Sequence, residues 1–247
     1  MATPAAAVCR ECERPLETLT LELPFGIGTR VFFGECRCLA ERRQAAAADA
    51  RRRVHEERVR RLLRESGIGL RHRDATFSTF AAPQAARPVL DVCRRFVAEF
   101  PQDGKGLTLS GPPGTGKTHL AVAITRALIG RGFASVIVNV PRLLLTFRAT
   151  FQSETSNRFE ELLQIVTRCD HLVLDDLGRE RLTDWVLETL YLVVNTRYED
   201  RLATSITTNL DLEALRLRLG EPILDRLAET NAAYWCQWPS HRQGPRA

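Results

Sequence analysis

The chain has 247 residues, 44% of them apolar and 26% charged, with a formal net charge of +5 and an isoelectric point near 9.0. That composition can bury one sizeable core with a small appendage, and no run approaches the roughly 18 apolar residues of a membrane span. The opening MATPAAAVCR lacks the basic lead and long apolar stretch of a secretory signal, so a cytoplasmic protein with no membrane contact is expected. Only Lys105 and Lys117 are lysines. Nearly all the positive charge is therefore arginine, whose planar fork suits phosphate or carboxylate partners, although a GC-rich genome would leave the same skew.

Four of the seven cysteines stand before residue 40, as CREC (Cys9, Cys12) and CRC (Cys36, Cys38), with β-prone pieces such as RVFFGE between them. Two close pairs around a short insert can close a tetrahedral zinc site on a module too small to fold on apolar burial alone. Free thiols and an iron–sulfur cluster are the alternatives. The remaining Cys93, Cys169 and Cys236 sit in apolar surroundings and are expected as buried thiols. Residues 39–66, rich in Ala, Arg and Glu without internal Gly or Pro, predict one long charged helix closed by Gly67. The expected domains are a Cys-rich module over 1–40, a charged helical linker over 41–70 and a nucleotide-binding domain over 71–247.

From residue 71 apolar runs alternate with helical patterns, predicting an α/β fold with a five-stranded parallel sheet between helices. A helix is expected over 84–100, then the strand LTLS at 107–110 feeding GPPGTGKTHL at 111–120. This is the spacing of a phosphate loop, Gly111, Pro112, Pro113, Gly114, Thr115 and Gly116, in which the glycines let backbone N–H groups turn inward round the phosphates. Lys117 supplies a point charge, Thr118 a magnesium-ligating hydroxyl, and His119 opens the helix that follows. After it come the strand ASVIVNV, helices over 141–152 and 157–169, and the strand HLVLDD. Asp175 is placed to hold magnesium through water, and Asp176 to orient the attacking water. A long helix over 183–200 leads to ATSITTN, whose Asn209 either senses the γ-phosphate or caps the helix starting near Asp211. Two short helices follow, then a last strand AYWCQW. Arg226 in EPILDRLAE is either an arginine finger for a neighbouring subunit or a surface arginine paired with Asp225 or Glu229, and Arg197 is a weaker candidate for sensing nucleotide state.

DATFSTF, GPPGTGKTHLA, LVLDDLG, NTRYEDRLATSITTNL and ILDRLAE, in this order over residues 60–238, resemble the bacterial helicase loaders of the DnaC/DnaI type and their relatives, the IstB-type transposition helpers. The resemblance implies an AAA+ core that binds ATP or ADP with Mg2+ and assembles into a homo-oligomer, Arg226 completing the neighbour's site. It places DATFSTF near the adenine, with Phe77 as a contact or else as core packing. The chain ends nine residues after the last predicted strand, which leaves no room for the C-terminal lid of replication initiators. CREC and CRC resemble the zinc module of DnaI-type loaders, which implies a grip on the replicative helicase. ATP-timed helicase loading onto single-stranded DNA is therefore ranked above an IstB-type role with a transposase and double-stranded DNA, or an adaptor that binds ATP without hydrolysing it. PRLLLTFRATFQ offers Arg142 and Arg148 for DNA, with Phe147 or Phe151 for stacking or for the core.

Overall fold

The computed structural model describes residues 8–23, 28–34, 36–81, 83–151 and 157–240. Contacts divide it into two compact units, with the boundary between Glu57 and Arg58. The first unit holds an antiparallel hairpin of β1 (Thr18–Leu23) and β2 (Gly28–Phe33), followed by α1 (Arg37–Glu65), which runs on into the second unit. Leu19, Leu21, Phe32 and Phe33 of the hairpin are exposed, and α1 has no buried residue. Apart from Cys9 and Cys36, no described hydrophobic residue of this unit is buried.

The second unit is built on α2 (Arg87–Glu99), β3 (Gly106–Ser110), α3 (Lys117–Gly130), β4 (Ser135–Asn139), α4 (Val140–Phe151), α5 (Asn157–Arg168), β5 (His171–Asp175), α6 (Asp184–Glu199), β6 (Ala203–Thr208), α7 (Leu212–Leu219), α8 (Glu221–Thr230) and β7 (Asn231–Trp235). The strands form one wholly parallel sheet in the order β4-β5-β6-β3-β7. Strands β3, β5 and β6 are buried at every position, as expected of continuous apolar and β-branched runs covered on both faces. On one face Leu172, Leu174 and Ile206 meet Phe147, Val193 and Leu224 of the later helices. On the other, Leu107 and Leu109 meet Phe96 of α2 and Leu120, Ile124 and Leu128 of α3.

Thr183 caps α6 by accepting from Val186 N, and Asp211 caps α7 by accepting from Ala214 N. The exposed edge of β4 is closed by the segment after α1, where Ile137 N donates to Ser66 O at 2.8 Å. Gly67 is required there: its φ is +76°, and a Cβ would lie 2.2 Å from Ile137 O. The last strand departs from expectation, running over Asn231–Trp235 rather than to residue 238. Its partner β3 ends at Ser110, opposite Trp235; Cys236 N makes one last bond to Ser110 O at 2.7 Å, and the chain then passes beneath the phosphate loop.

Two buried polar clusters hold the strands laterally. His171 lies between Ser135 of β4 and Ser205 of β6, with 2.9 Å from Nδ1 and from Nε2, and Leu107 N of β3 donates to the same Ser205 hydroxyl. Burial, helped by the nearby Arg197 charge, pushes the His171 pKa down to about 3. Arg197 is itself fully buried, donating to Thr204 Oγ1 and to the carbonyls of Val166, Cys169 and Ala203. The expectation that it senses nucleotide is corrected: every direction of its guanidinium is spent on stapling α5 and α6 to β6. Cys93, Cys169 and Cys236 are buried, as expected.

Candidate nucleotide site and cysteine cluster

The ends of β3, β5 and β6 and the start of α3 converge on a cavity of about 330 Å³ at the carboxyl edge of the sheet, where open α/β folds place their ligands. Pro113, Gly114, Gly116, Lys117, Thr118 and His119 line it. The loop's shape depends on glycine: Gly116 takes a left-handed φ of +89° as the N-cap of α3, and at Gly111 a Cβ would lie 2.6 Å from Cys236 O. Gly111, Pro112 and Thr115 are not among the lining residues; Gly111 and Thr115 are buried and Pro112 is exposed. Lys117 Nζ donates to Gly111 O and Pro112 O, each at 2.7 Å, and Thr115 Oγ1 donates to Pro112 O at 3.0 Å.

Asp175 closes β5 and accepts from Thr118 Oγ1 at 2.9 Å and Thr207 Oγ1 at 2.7 Å. Burial raises its pKa, and the two hydroxyl donors oppose that rise. A hydroxyl and a carboxylate meeting beside a phosphate loop are hard oxygen donors of the kind that suits Mg2+. Asp176 follows in the left-handed region, φ +59°, a strained placement for a residue with a side chain. Its amide donates to Thr207 Oγ1 at 3.0 Å, and its carboxylate accepts from Asn139 Nδ2 at 3.3 Å and pairs with Arg179 at 3.6 Å. Asn209 also lines the cavity. It does not cap α7, because Asp211 does.

Several expected residues lie elsewhere. Phe77 packs against the core beside α2 and α3 and is absent from the cavity's lining, where Phe80 stands instead with its ring 5.3 Å from that of His119. His119 Nε2 meets Thr76 O at 2.9 Å and so ties DATFSTF to α3. Arg226 does not reach its own chain's cavity. It donates to Asn195 Oδ1 and Pro222 O and lies over the rings of Tyr191 and Tyr198, not on Asp225 or Glu229. Phe147 is fully buried and offers nothing to a base, and Arg148 lies over Trp185, while Arg142 is exposed. The side chain of Phe151 lies outside the described residues.

Sequence reasoning missed Asn139, Arg179, Arg71, His72 and Trp238. The first two flank Asp176, and Arg71 and His72 line the cavity from the segment after α1. Trp238 Nε1 donates to Thr115 O at 2.7 Å from beneath the loop. The one sequence signal for Asn139 was its place near the end of the predicted strand ASVIVNV; its register with Asp175 comes only from the sheet.

In the first unit the four cysteine sulfurs lie within 4.8 Å of one another, with Cys9–Cys38 at 3.6 Å and Cys12–Cys36 and Cys36–Cys38 at 3.4 Å. A disulfide needs about 2.05 Å, whereas a thiolate tetrahedron round zinc has edges of about 3.8 Å. The backbone amides of Glu11 and Cys12 pull the Cys9 thiol down to about 6, and the neighbouring sulfurs of Cys36 and Cys12 push Cys38 up to about 12. Such a set can take one divalent ion in place of its protons.

The model of the IstB-like ATP-binding protein family matches residues 38–233. The replicative helicase loader DnaC of Buchnera aphidicola subsp. Schizaphis graminum is 30% identical over 75% of this chain and 76% of its own. A solved DnaC helicase loader superposes with a TM-score of 0.61 at 32% identity, covering 68% of this chain and 99% of that one. A solved DnaI gives 0.57 at 29% identity, covering 74% and 93%. With the five-stranded sheet, the phosphate loop and the acidic strand end in the same order, the chain belongs to the IstB-like ATP-binding proteins and, among them, to the DnaC/DnaI helicase-loader family of AAA+ ATPases.

Proposed function

We propose that the chain loads a replicative DNA helicase onto single-stranded DNA, with ATP favouring the loaded assembly and its hydrolysis releasing it. The observation that carries this is the meeting of Lys117, Thr118 and Asp176 at one cavity, with Asp175 bonded to Thr118, in a chain similar to DnaC over three-quarters of its length. Thr118 and Asp175 would hold Mg2+, which when bound draws charge from the terminal phosphates. Lys117 exchanges its two loop carbonyls for phosphate oxygens. Asp176, steadied by Asn139 and Arg179, orients the water and accepts its proton, and Asn209 holds that water from the other side. Asp is one methylene shorter than Glu, which suits slow hydrolysis that a partner or DNA accelerates.

Arg226, held within its own chain by Asn195 and two tyrosines, exchanges those contacts for a second copy's γ-phosphate, so that a homo-oligomer completes each site. Cys9, Cys12, Cys36 and Cys38 hold zinc and shape a module over 1–40 that grips the helicase, joined by the 41–70 linker to the ATPase domain over 71–247. No helix of the described residues is long and apolar enough to cross a membrane, which suits a cytoplasmic site of action. Co-purification with the cell's helicase in ATP and in ADP tests the reading. Retention in ATP that Lys117→Ala abolishes is expected; retention of a transposase alone, or helicase retention indifferent to nucleotide and to Lys117→Ala, would overturn it.

A further inference from the structure

The chain's positive charge is concentrated in one element. Helix α1 carries ten arginines against five carboxylates, so its net charge equals the +5 of the entire chain, and the remaining residues balance to zero. A genome-wide bias toward arginine would enrich every segment. It does not explain why basic and acidic residues balance in sum over the rest of the chain but not here.

The helix is built for contact by charge and not by apolar burial. Among its described residues none is buried, and it has no aromatic side chain to pack or stack. Arg37, Arg42 and Arg52 are paired with Glu41, Glu11 and Asp49. Among the described residues, Arg51, Arg53, Arg58, Arg60, Arg61 and Arg64 enter no ion pair. The arginines also come in adjacent groups, at 42–43, 51–53 and 60–61, each nine residues from the next. Neighbouring residues of a helix point about 100° apart, so a group of three fans across roughly 200° of its circumference.

We propose that α1 binds the phosphodiester backbone of single-stranded nucleic acid. Repeating phosphates match a helix whose excess charge repeats along its length, and the guanidinium fork pairs with phosphate oxygens bidentately. A fan of charge rather than one stripe fits a strand that can bend round the helix, whereas a rigid duplex would meet only one face. With no aromatic residue to stack on bases, the contact is indifferent to sequence. This surface is separate from the nucleotide cavity and does not depend on the helicase-loading reading.

The test uses the full chain without nucleotide, titrated against fluorescently labelled oligo-dT from 50 to 300 mM NaCl. Arg51, Arg53, Arg58, Arg60, Arg61 and Arg64 are changed together to Gln, a good helix former, and in a second variant to Lys, with helix content checked by circular dichroism. The Gln variant should bind at least tenfold more weakly at 50 mM salt, its log K–log salt slope shallower by about 4, since each phosphate contact on a single strand contributes roughly 0.7. The Lys variant should keep most of the affinity. Unchanged affinity and slope in the Gln variant would overturn the proposal. So would a loss confined to duplex DNA or to polyglutamate, or a loss seen only with Arg142→Gln and Arg148→Gln in α4.

Discussion

The two units solve the problem of staying folded in opposite ways. The nucleotide-binding unit covers both faces of a five-stranded sheet and stacks Leu107, Leu120, Leu172, Phe147 and Ile206 at near-zero exposure. The N-terminal unit leaves Leu19 64% exposed and Phe32 49% exposed, and among its described residues only Cys9 and Cys36 are buried. A structural metal can supply the folding free energy that such a core cannot, on the order of 10 kcal/mol. The family match begins at residue 38, after three of the four cysteines, and takes in α1 and most of the second unit. A phosphate site needs a fixed frame, so it is built on burial; a module with so little apolar burial can take its shape from a bound ion instead.

The largest expected effect tests that division directly. Cys36→Ser, or removal of metal by a strong chelator, should release the bound ion and open residues 8–36 to protease. The core's melting transition should stay within about 2 °C, because no core contact is lost. Zinc content and limited proteolysis on one sample decide it. A module equally resistant without its metal would break the comparison.

Next in size is Lys117→Ala. Removing a charge that meets the terminal phosphates should weaken ATP binding roughly a hundredfold, about 3 kcal/mol, measured by calorimetry. Helicase retention in ATP should be lost with it. Should ATP affinity survive the substitution, Lys117 does not touch the phosphates.

How far these sites were legible depended on how local their chemistry is. A phosphate loop is encoded by consecutive residues, and Asp175 ends a strand whose apolar run announces it, so both could be read from spacing. Phe77 and Phe80 stand three residues apart in a turn-rich segment tied by Thr76 and Thr79 hydroxyls, where no periodicity says which ring faces the cavity. Arg197 sits among polar neighbours in NTRYEDR and reads as a candidate for sensing nucleotide, yet the carbonyls of Val166 and Cys169 from a distant segment and of nearby Ala203 make its burial tolerable. Asn139 and Trp238 matter only because β4 lies beside β5 and β7 beside β3, and strand order is not a local property.

The core's dependence on buried polar links predicts an acid sensitivity of its own. His171 is neutral and buried with a folded pKa of about 3, against an ordinary 6.5. Between those values the unfolded chain binds the proton and the folded chain does not, so stability falls as pH drops from 6.5 toward 3. The loss from pH 7 to pH 5 is about 2 kcal/mol. Denaturant unfolding at the two pH values checks it, and His171→Gln should flatten that interval. An equal slope in the variant would assign the acid sensitivity to other groups.

The smallest effect separates frame from site within the core. Trp238→Phe keeps an aromatic ring in the same packing but removes the indole N–H that holds Thr115 O at 2.7 Å. With that carbonyl anchored beneath the loop, the neighbouring amides stay turned toward the cavity. Unanchored, the peptide can rotate, and the loop must be reordered each time a phosphate binds. A neutral hydrogen bond of this kind is worth about 1 kcal/mol, so ATP affinity should fall about fivefold. A bond that merely braced the core would lower the melting temperature and leave the ATP dissociation constant alone. Measuring both on Trp238→Phe therefore shows whether β7 serves the sheet only or reaches through Cys236 and Trp238 to shape the phosphate loop.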